Sequence, residues 1–336
     1  LSVIFKIKSI LKKNKANKLF FLSSPKTLIY LLKFHNIKIE ALKVFVLHGE
    51  FESIIKPAEG ESNFQELPTE SIIKRLKKIS FNKIKTLLNK KLLKLDPFHW
   101  YLKNISSEEL IKKKYDNSFR YIVLSDHIIE NISNIIDYKK YNISSIYYPQ
   151  IKSLNKTNYK NDFAKFAVFG YGDSRMLYSL NLRIRNLKIK APFQIRIIGM
   201  DNRGIDQFPW VTNPSNGRTL SRDQMERLLE DIDFILILYS KGLYKASCSG
   251  SIIEAITYGK PIVHLKNDCI SHFNVNNEIG YMCQNLDEFS EKILKIADDY
   301  KNEKMKIKIF HKNIREKQKM ISVDSRLELF SNKFNF

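Results

Sequence analysis

A short polar loop and one carboxylate lie close together in the second half of the sequence. Ser249, Gly250 and Ser251 follow an apolar run and open a segment with helical spacing, and one turn later comes Glu254. A helix that begins on small residues exposes backbone N–H groups and the positive end of its dipole, which both favour phosphate. A carboxylate one turn further along can accept hydrogen bonds from two neighbouring ribose hydroxyls. The pattern therefore predicts that a nucleoside diphosphate binds here.

A second polar group ends an apolar run in the first half of the sequence. His48, Gly49 and Glu50 close the segment KVFVLHGE at 43–50, whose composition is that of a buried strand. In an open α/β sheet, ligands bind outside the carboxyl ends of the strands. These residues are therefore expected at a ligand-binding edge.

Apolar runs alternate with segments of helical spacing, which is typical of a parallel α/β fold. The predicted strands lie at 19–24, 43–50, the start of 120–128, 166–172, 193–200, 234–240 and 261–265. The predicted helices lie at 2–15, 26–35, 174–187, 221–230, 250–259, 287–299 and 301–319. Each candidate group then follows a predicted strand.

The chain is expected to form two domains, because 336 residues suit two cores of roughly 150 residues each. The polar stretch SLNKTNYKND at 153–162 is the predicted linker. We predict an N-terminal domain at 1–155 and a C-terminal domain at 156–318. Residues 319–336 are predicted to form a last helix that packs back on the N-terminal domain.

Composition excludes several classes of protein. No apolar run reaches the roughly 18 residues of a membrane span, and lysines interrupt the apolar start of the chain, unlike a signal peptide. The three cysteines, Cys248, Cys269 and Cys283, form no CxxC pair. A disulfide scaffold or a structural zinc site is therefore not expected, and a reducing, cytoplasmic setting fits.

Charge is unevenly distributed along the chain. The formal net charge is +22, and residues 1–160 hold 30 basic against 14 acidic residues. Such an excess attracts anionic lipid, nucleic acid or anionic substrates, and it also fits a genome rich in Lys, Ile and Asn codons. The basic excess of the first half therefore does not distinguish among these classes of anionic partner.

The most basic segment, at 69–94, reads as an amphipathic helix with a break near residues 80–82. Two interpretations remain open: a surface helix packed on the sheet, or a helix that docks on an anionic membrane surface or an acceptor. The basic residues that would dock are Lys74, Arg75, Lys77, Lys78, Lys83 and Lys85.

Four segments together resemble one enzyme family. SGSIIEAITYGKPIV at 249–263 is similar to the nucleotide-sugar-binding segment of GT-B glycosyltransferases, especially family 4 (glycosyl transferases group 1). The order of the surrounding segments also matches over about 118–300, and the similarity is weaker before that. The other matching segments are LSDHIIENI with SIYYPQI, FAVFGYGDSRMLYSL and GYMCQNLDEFSEKILKI.

This resemblance implies a fold and an activity. The fold would be GT-B, in which two Rossmann-like, doubly wound α/β domains face a cleft. The enzyme would be a metal-independent, hexosyltransferase-type glycosyltransferase that uses a nucleotide-sugar donor and no cofactor. The acceptor would be a glycan or a lipid-linked glycan in bacterial surface polysaccharide synthesis, such as capsule, O-antigen or lipooligosaccharide. The enzyme would be cytoplasmic or peripheral on the cytoplasmic face of the inner membrane.

The resemblance also implies roles for individual residues. Glu254 would bind the donor ribose, and the loop at 249–251 would hold the diphosphate. Arg175, which follows the glycine turn ending at Gly172, would neutralise the diphosphate. His48 would face the transferred sugar.

Three further residues have two possible roles each. Glu50 is a candidate catalytic base for an inverting reaction, or simply a loop residue. Tyr244 and Lys245 either line the diphosphate loop or face solvent.

The sequence departs from the family pattern in two places. Ala246 stands where the family usually has a glutamate eight residues before the ribose-binding one. The strand and glycine-rich loop that normally open the fold are not visible, so we expect the N-terminal domain to lack its first strand.

Three alternatives remain open: a nucleotide-sugar 2-epimerase, a catalytically inactive GT-B-like subunit, and a basic nucleic-acid-binding protein. No nucleic-acid-binding motif is visible, so nucleic acid is not expected as a partner. Asp231 and Asp233 match the letters of a metal-binding DxD motif, but they precede a predicted core strand and read as a turn. No metal is therefore expected.

Overall fold

The computed structural model describes residues 17–22, 29, 32–33, 41–49, 51–52, 55, 107–112, 117–147, 161–169, 174–199, 205, 207–218 and 220–334. They form two compact units that divide between Ser145 and Ile146. The helix predicted at 2–15 and the basic segment at 69–94 lie outside the described residues, as does the predicted boundary at 155. Among the described residues, no helix combines the length and the apolar character that crossing a membrane requires.

The first unit contains a four-stranded parallel sheet in the order β1-β2-β3-β4. Its elements are β1 Lys18–Phe21, β2 Leu42–Leu47, α1 Ser107–Lys112, β3 Phe119–Val123, α2 Asp126–Ile132 and β4 Ile143–Ser145. The strands predicted at 19–24, 43–50 and 120–128 are confirmed with shorter bounds. Phe45, which is fully buried, stacks on Phe21 at 4.7 Å and on Phe119 and Tyr121 at 5.8 Å between ring centroids.

The second unit is a six-stranded parallel sheet with helices between its strands. Its strands are β5 Ala164–Phe169, β6 Phe193–Ile198, β7 Val211–Thr212, β8 Phe234–Ile237, β9 Ile262–Leu265 and β10 Gly280–Cys283. Its helices are α3 Ser174–Arg185, α4 Arg222–Leu229, α5 Gly250–Thr257, α6 Asp268–Phe273, α7 Leu286–Asp298, α8 Tyr300–Met320 and α9 Val323–Phe334. The predicted elements of this half are confirmed. Ser221 caps α4 through a complete capping box with Gln224.

Strand order in the second sheet places the candidate site. The order is β10-β9-β8-β5-β6-β7, so the chain runs outward from β5 to β7 and then returns to the other side of β5. This is the doubly wound order in which ligands bind outside the carboxyl ends of the two strands at the switch point. In this unit the switch point lies between β5 and β8.

The opposite, amino-terminal edge of this sheet is held by a charged network. Asp231 lies in the turn before β8, as predicted, and binds Lys165 at 2.7 Å and Arg196 at 2.6 Å. Although burial favours its neutral form, the hydrogen bonds from Arg196 and Lys165 lower the pKa of Asp231 to about 2. Buried Asp233 accepts hydrogen bonds from Tyr300 Oη at 2.9 Å and from the backbone N–H of Lys165. Both aspartates thus have structural partners.

A buried imidazole lies in the core strand β9. The Nδ1–H of His264 donates a hydrogen bond to the carbonyl oxygen of Leu265 at 2.8 Å. Its Nε2 accepts a hydrogen bond from the side-chain amide of Asn274 at 2.9 Å. Burial lowers the pKa of His264 to about 4, while the hydrogen bond to Leu265 opposes this shift. The side chain is therefore neutral in the folded protein at ordinary pH.

We expect His264 to make folding stability depend on pH between about 6.5 and 4. The unfolded histidine takes up a proton near pH 6.5 but the folded one near pH 4, so stability falls as the pH decreases through this window. The slope from one such group is at most about 1.4 kcal/mol per pH unit. Denaturant unfolding at several pH values measures it, and His264→Gln should make the profile shallower. An unchanged profile, or an imidazole that titrates near 6.5 by NMR, would contradict this.

Candidate functional site

The loop between β8 and α5, residues 238–249, lies at the switch point and is tied to the following helix. Buried Asn267 donates its side-chain N–H groups to the carbonyl oxygens of Ser240 at 2.9 Å and Leu243 at 2.7 Å. The same side chain caps α6 by accepting from the backbone N–H of Ile270. One amide therefore ties the loop to the start of α6.

Ser249 positions the start of α5. Its side chain is fully buried, its hydroxyl accepts from the backbone N–H of Ser251 at 3.2 Å, and it donates to Tyr239 Oη at 3.0 Å. Its own N–H donates to Cys269 Sγ at 3.4 Å. The hydroxyl is thus engaged in capping, so the contribution of Ser249 to a ligand is to shape the loop.

Gly250 is the exposed first residue of α5. A Cβ added at this position would meet no heavy atom within 4 Å apart from its chain neighbours and its own helix, so the side-chain position of Gly250 is open. Among the described residues, the backbone N–H of Gly250 has no hydrogen-bond partner. An unpaired N–H at the positive end of a helix dipole is the arrangement that binds phosphate groups.

Glu254 follows one turn later on the same helix and is about half-buried. Burial raises the pKa of Glu254, and the positive charge of Arg222 partly offsets that effect. Arg222 lies at the start of α4, 5.8 Å from the ring centroid of Tyr258, and pairs with Glu226 at 3.7 Å. The carboxylate therefore lies close to a cation and retains an accessible fraction of its surface.

The remaining predicted loop residues take different positions. Tyr244 adopts a positive φ of 59°, and its ring lies 4.7 Å from that of Tyr239, so it packs within the loop. Lys245 is partly exposed beside it. Ala246 is buried, so a small apolar side chain fills the position where a glutamate was expected from the resemblance.

Arg175 is exposed near the amino-terminal end of α3, the helix that follows β5. Since β5 and β8 are hydrogen-bonded neighbours and parallel, this helix start and the loop before α5 lie at the same edge of the sheet. Gly172 lies outside the described residues. The second unit thus places Arg175 at the switch point together with the loop at 249–251.

The candidate catalytic residues belong to the first unit. His48 directly follows β2, is exposed, and donates from Nε2 to the carbonyl oxygen of Leu22, the residue after β1, at 2.7 Å. It thus lies at the carboxyl edge of the first sheet, as predicted. Glu50 lies outside the described residues.

Sequence reasoning missed four residues that build the site. Asn267 and Cys269 anchor the loop from outside it, Tyr239 bonds to Ser249 within it, and Arg222 sets the charge environment of Glu254. Their partners are distant in sequence, so no local pattern points to them. The only available signal was Asn267 as an N-cap residue before a helical segment.

No protein-family model matches this chain, and no curated protein sequence does. Solved structures do match it. TarM is 18% identical with a TM-score of 0.57, over 98% of this chain and 57% of that one. Sucrose-phosphate synthase from Thermosynechococcus elongatus is 10% identical with a TM-score of 0.64, over 99% and 76%. The pneumococcal O-GlcNAc transferase GtfA, solved with UDP and GlcNAc, is 11% identical with a TM-score of 0.53, over 97% and 58%.

These structures are GT-B glycosyltransferases, and the likeness covers nearly the whole of this chain. The chain therefore has the GT-B fold, as its sequence predicted, with both units built on parallel α/β sheets. It spans little more than half the length of TarM and of GtfA.

Proposed function

We propose that this protein is a glycosyltransferase that binds a nucleoside diphosphate sugar at the start of α5. One observation carries the proposal: the switch point of a GT-B fold presents an uncovered helix start at Gly250, with the Glu254 carboxylate one turn away. Phosphate oxygens suit the first group and ribose hydroxyls the second. The UDP bound by GtfA supports a nucleotide as the ligand class.

The proposed reaction moves a hexosyl group to an acceptor hydroxyl. The bond between the sugar's anomeric carbon and the diphosphate oxygen breaks, the acceptor oxygen bonds to that carbon, and the acceptor proton passes to a base. The nucleoside diphosphate leaves with the bonding electrons. Arg175, Lys245 and the α5 helix start would stabilise its growing negative charge without a metal ion.

His48 and Glu50 are the proposed catalytic candidates of the first unit. The proposed acceptor is a glycan or a lipid-linked glycan of a bacterial surface polysaccharide, which the resemblance supports. Peripheral binding to the anionic cytoplasmic leaflet through the basic residues between Lys74 and Lys85 is part of the same proposal. That segment lies outside the described residues.

The test is a thermal-shift panel of UDP-, GDP-, dTDP- and ADP-sugars, with CMP-sugars and duplex DNA for comparison. We expect one of the four diphosphate donors to raise Tm by several degrees, because a ligand at 100 times its Kd stabilises by about 2.7 kcal/mol. The proposal would be refuted if only DNA raised Tm, or if none of the sugar nucleotides did.

Buried Ala246 favours a second candidate, a GT-B subunit that binds a donor but does not transfer sugar. Ala246 stands where the family usually has a glutamate, so a side chain that the family's site contains is missing here. Donor binding in the thermal-shift panel without release of nucleoside diphosphate in the presence of any glycan acceptor would favour this reading. Release of nucleoside diphosphate that depends on an acceptor would exclude it.

Gly250 provides a test that separates binding from stability. We expect Gly250→Val to weaken binding of the donor sugar nucleotide at least about tenfold, because its side chain would occupy the space above the helix start. No neighbouring atom lies within 4 Å, so Tm without ligand should stay within about 2 °C of the original. Gly250→Ala should have an intermediate effect on binding. Isothermal titration measures both, and unchanged affinity in the valine variant would contradict the proposed phosphate position.

A further inference from the structure

Helix α8, Tyr300–Met320, exposes apolar and basic side chains on one face. Met305, Ile309 and Met320 are 61%, 59% and 47% exposed. Five exposed basic residues share this side of the helix: Lys301, Lys308, Lys312, Arg315 and Lys319. We call these eight residues the outer face of α8. At 100° per residue, they fall within an arc of about 140° around the helix.

Packing of the second unit does not account for the outer face. The opposite side of α8 is buried through Ile307, Phe310 and Ile314, which attach the helix to the cores of the unit. The exposed apolar side chains of Met305 and Ile309 take no part in these cores. Their exposure on a firmly packed helix therefore leaves a fixed surface available to a partner.

The charge of the outer face is strongly positive. The helix contains two acids, and Glu303 is buried, where it binds Lys306 at 2.7 Å and Tyr281 Oη at 2.6 Å. The other acid, Glu316, is exposed and pairs with Lys319 at 3.1 Å. Four of the five basic residues on the face thus have no acid of α8 beside them within salt-bridge distance. Their charge favours an anionic partner.

We propose that the outer face of α8 binds the surface of an anionic phospholipid bilayer. Met305 and Ile309 enter the boundary between headgroups and acyl chains, and the lysines contact lipid phosphates. The helix is about 30 Å long, so it lies along the surface rather than across it. This surface is independent of the proposed donor site.

A bilayer fits these residues better than nucleic acid does. A polyanion in water offers phosphates to the lysines but no apolar environment for Met305 and Ile309. Proteins that bind single strands add aromatic side chains on which bases stack, and the outer face contains none. The combination of an apolar strip beside a basic strip is that of an interfacial helix.

The test measures sedimentation of the full-length chain with vesicles. We expect binding to phosphatidylcholine vesicles containing 30% phosphatidylglycerol, little binding to pure phosphatidylcholine, and weaker binding as salt increases. Lys301→Gln, Lys308→Gln and Lys312→Gln together should weaken binding about a hundredfold, since each lysine near such a surface contributes about fivefold. Met305→Gln with Ile309→Gln should weaken it about tenfold with the charge unchanged.

A matched control removes three exposed lysines elsewhere in the same unit: Lys188→Gln, Lys190→Gln and Lys266→Gln. It should bind much more tightly than the α8 triple variant, although its net charge is the same. Circular dichroism and Tm confirm that each variant is folded. Equal binding by both triple variants would overturn the proposal, as would binding of duplex DNA in place of vesicles. The proposal would also be overturned if the α8 variants bound vesicles as well as the unchanged protein does, while replacing the lysines of the segment at 69–94 abolished vesicle binding.

Discussion

Replacing Glu254 by alanine is expected to weaken binding of the donor sugar nucleotide by more than about a hundredfold. A carboxylate that accepts hydrogen bonds from two ribose hydroxyls contributes about 1.5–3 kcal/mol per bond, and its loss leaves both hydroxyls without their partner. The side chain is half-buried beside Arg222, so removing it also changes the charge next to the nucleotide. Isothermal titration with the donor selected by the thermal-shift panel measures the change.

The control for this variant is Glu291→Ala, which removes an exposed glutamate from α7 in the same unit. It should leave donor affinity unchanged. The Tm of Glu254→Ala without ligand should stay close to that of the original chain, because Glu254 forms no ion pair within 4 Å with any residue that the structure describes. Equal affinity in the two variants would show that the ribose binds elsewhere.

Gly280→Ala is expected to destabilise the second unit by about 4 kcal/mol or more. A Cβ at this position would lie 1.9 Å from the carbonyl oxygen of Ile262 and 2.7 Å from its backbone nitrogen. Both atoms belong to the partner strand β9, so the clash cannot be relieved by a side-chain rotation. Gly280 also has a φ of 156°, which residues with a side chain rarely adopt. The strands β9 and β10 must therefore separate locally.

Thermal and denaturant unfolding measure this effect, and Tm should fall by about 10 °C or more. Gly250→Ala is the matched control, because the same substitution there meets no atom within 4 Å. A Gly280→Ala variant as stable as Gly250→Ala would mean that β9 and β10 are not paired in the observed register.

The alternation of elements in the second half could be predicted because each strand is a short apolar run between helix signals. Phe234–Ile237 and Ile262–Leu265 are entirely buried, and parallel strands covered on both faces have this composition. Ser221 and Asn285, which cap α4 and α7, are residue types that favour the N-cap position. These features depend on local chemistry, which the sequence displays directly.

The internal roles of site residues could not be predicted in the same way. The resemblance implies that the loop at 249–251 holds the diphosphate, but no sequence pattern shows that the Ser249 hydroxyl bonds to Ser251 and Tyr239. Asn267 reaches back 24 residues or more to hold the loop at Ser240 and Leu243. Such contacts depend on how strands are ordered in the sheet, and residue spacing does not reveal that order.

The most direct measurement is a crystal structure with the nucleoside diphosphate that raises Tm most in the panel. We predict that both phosphates contact the backbone at 249–251, and that the Glu254 carboxylate lies within about 3 Å of the two ribose hydroxyls. A nucleotide bound elsewhere, or the same nucleotide held without contact to α5, would contradict the central claim.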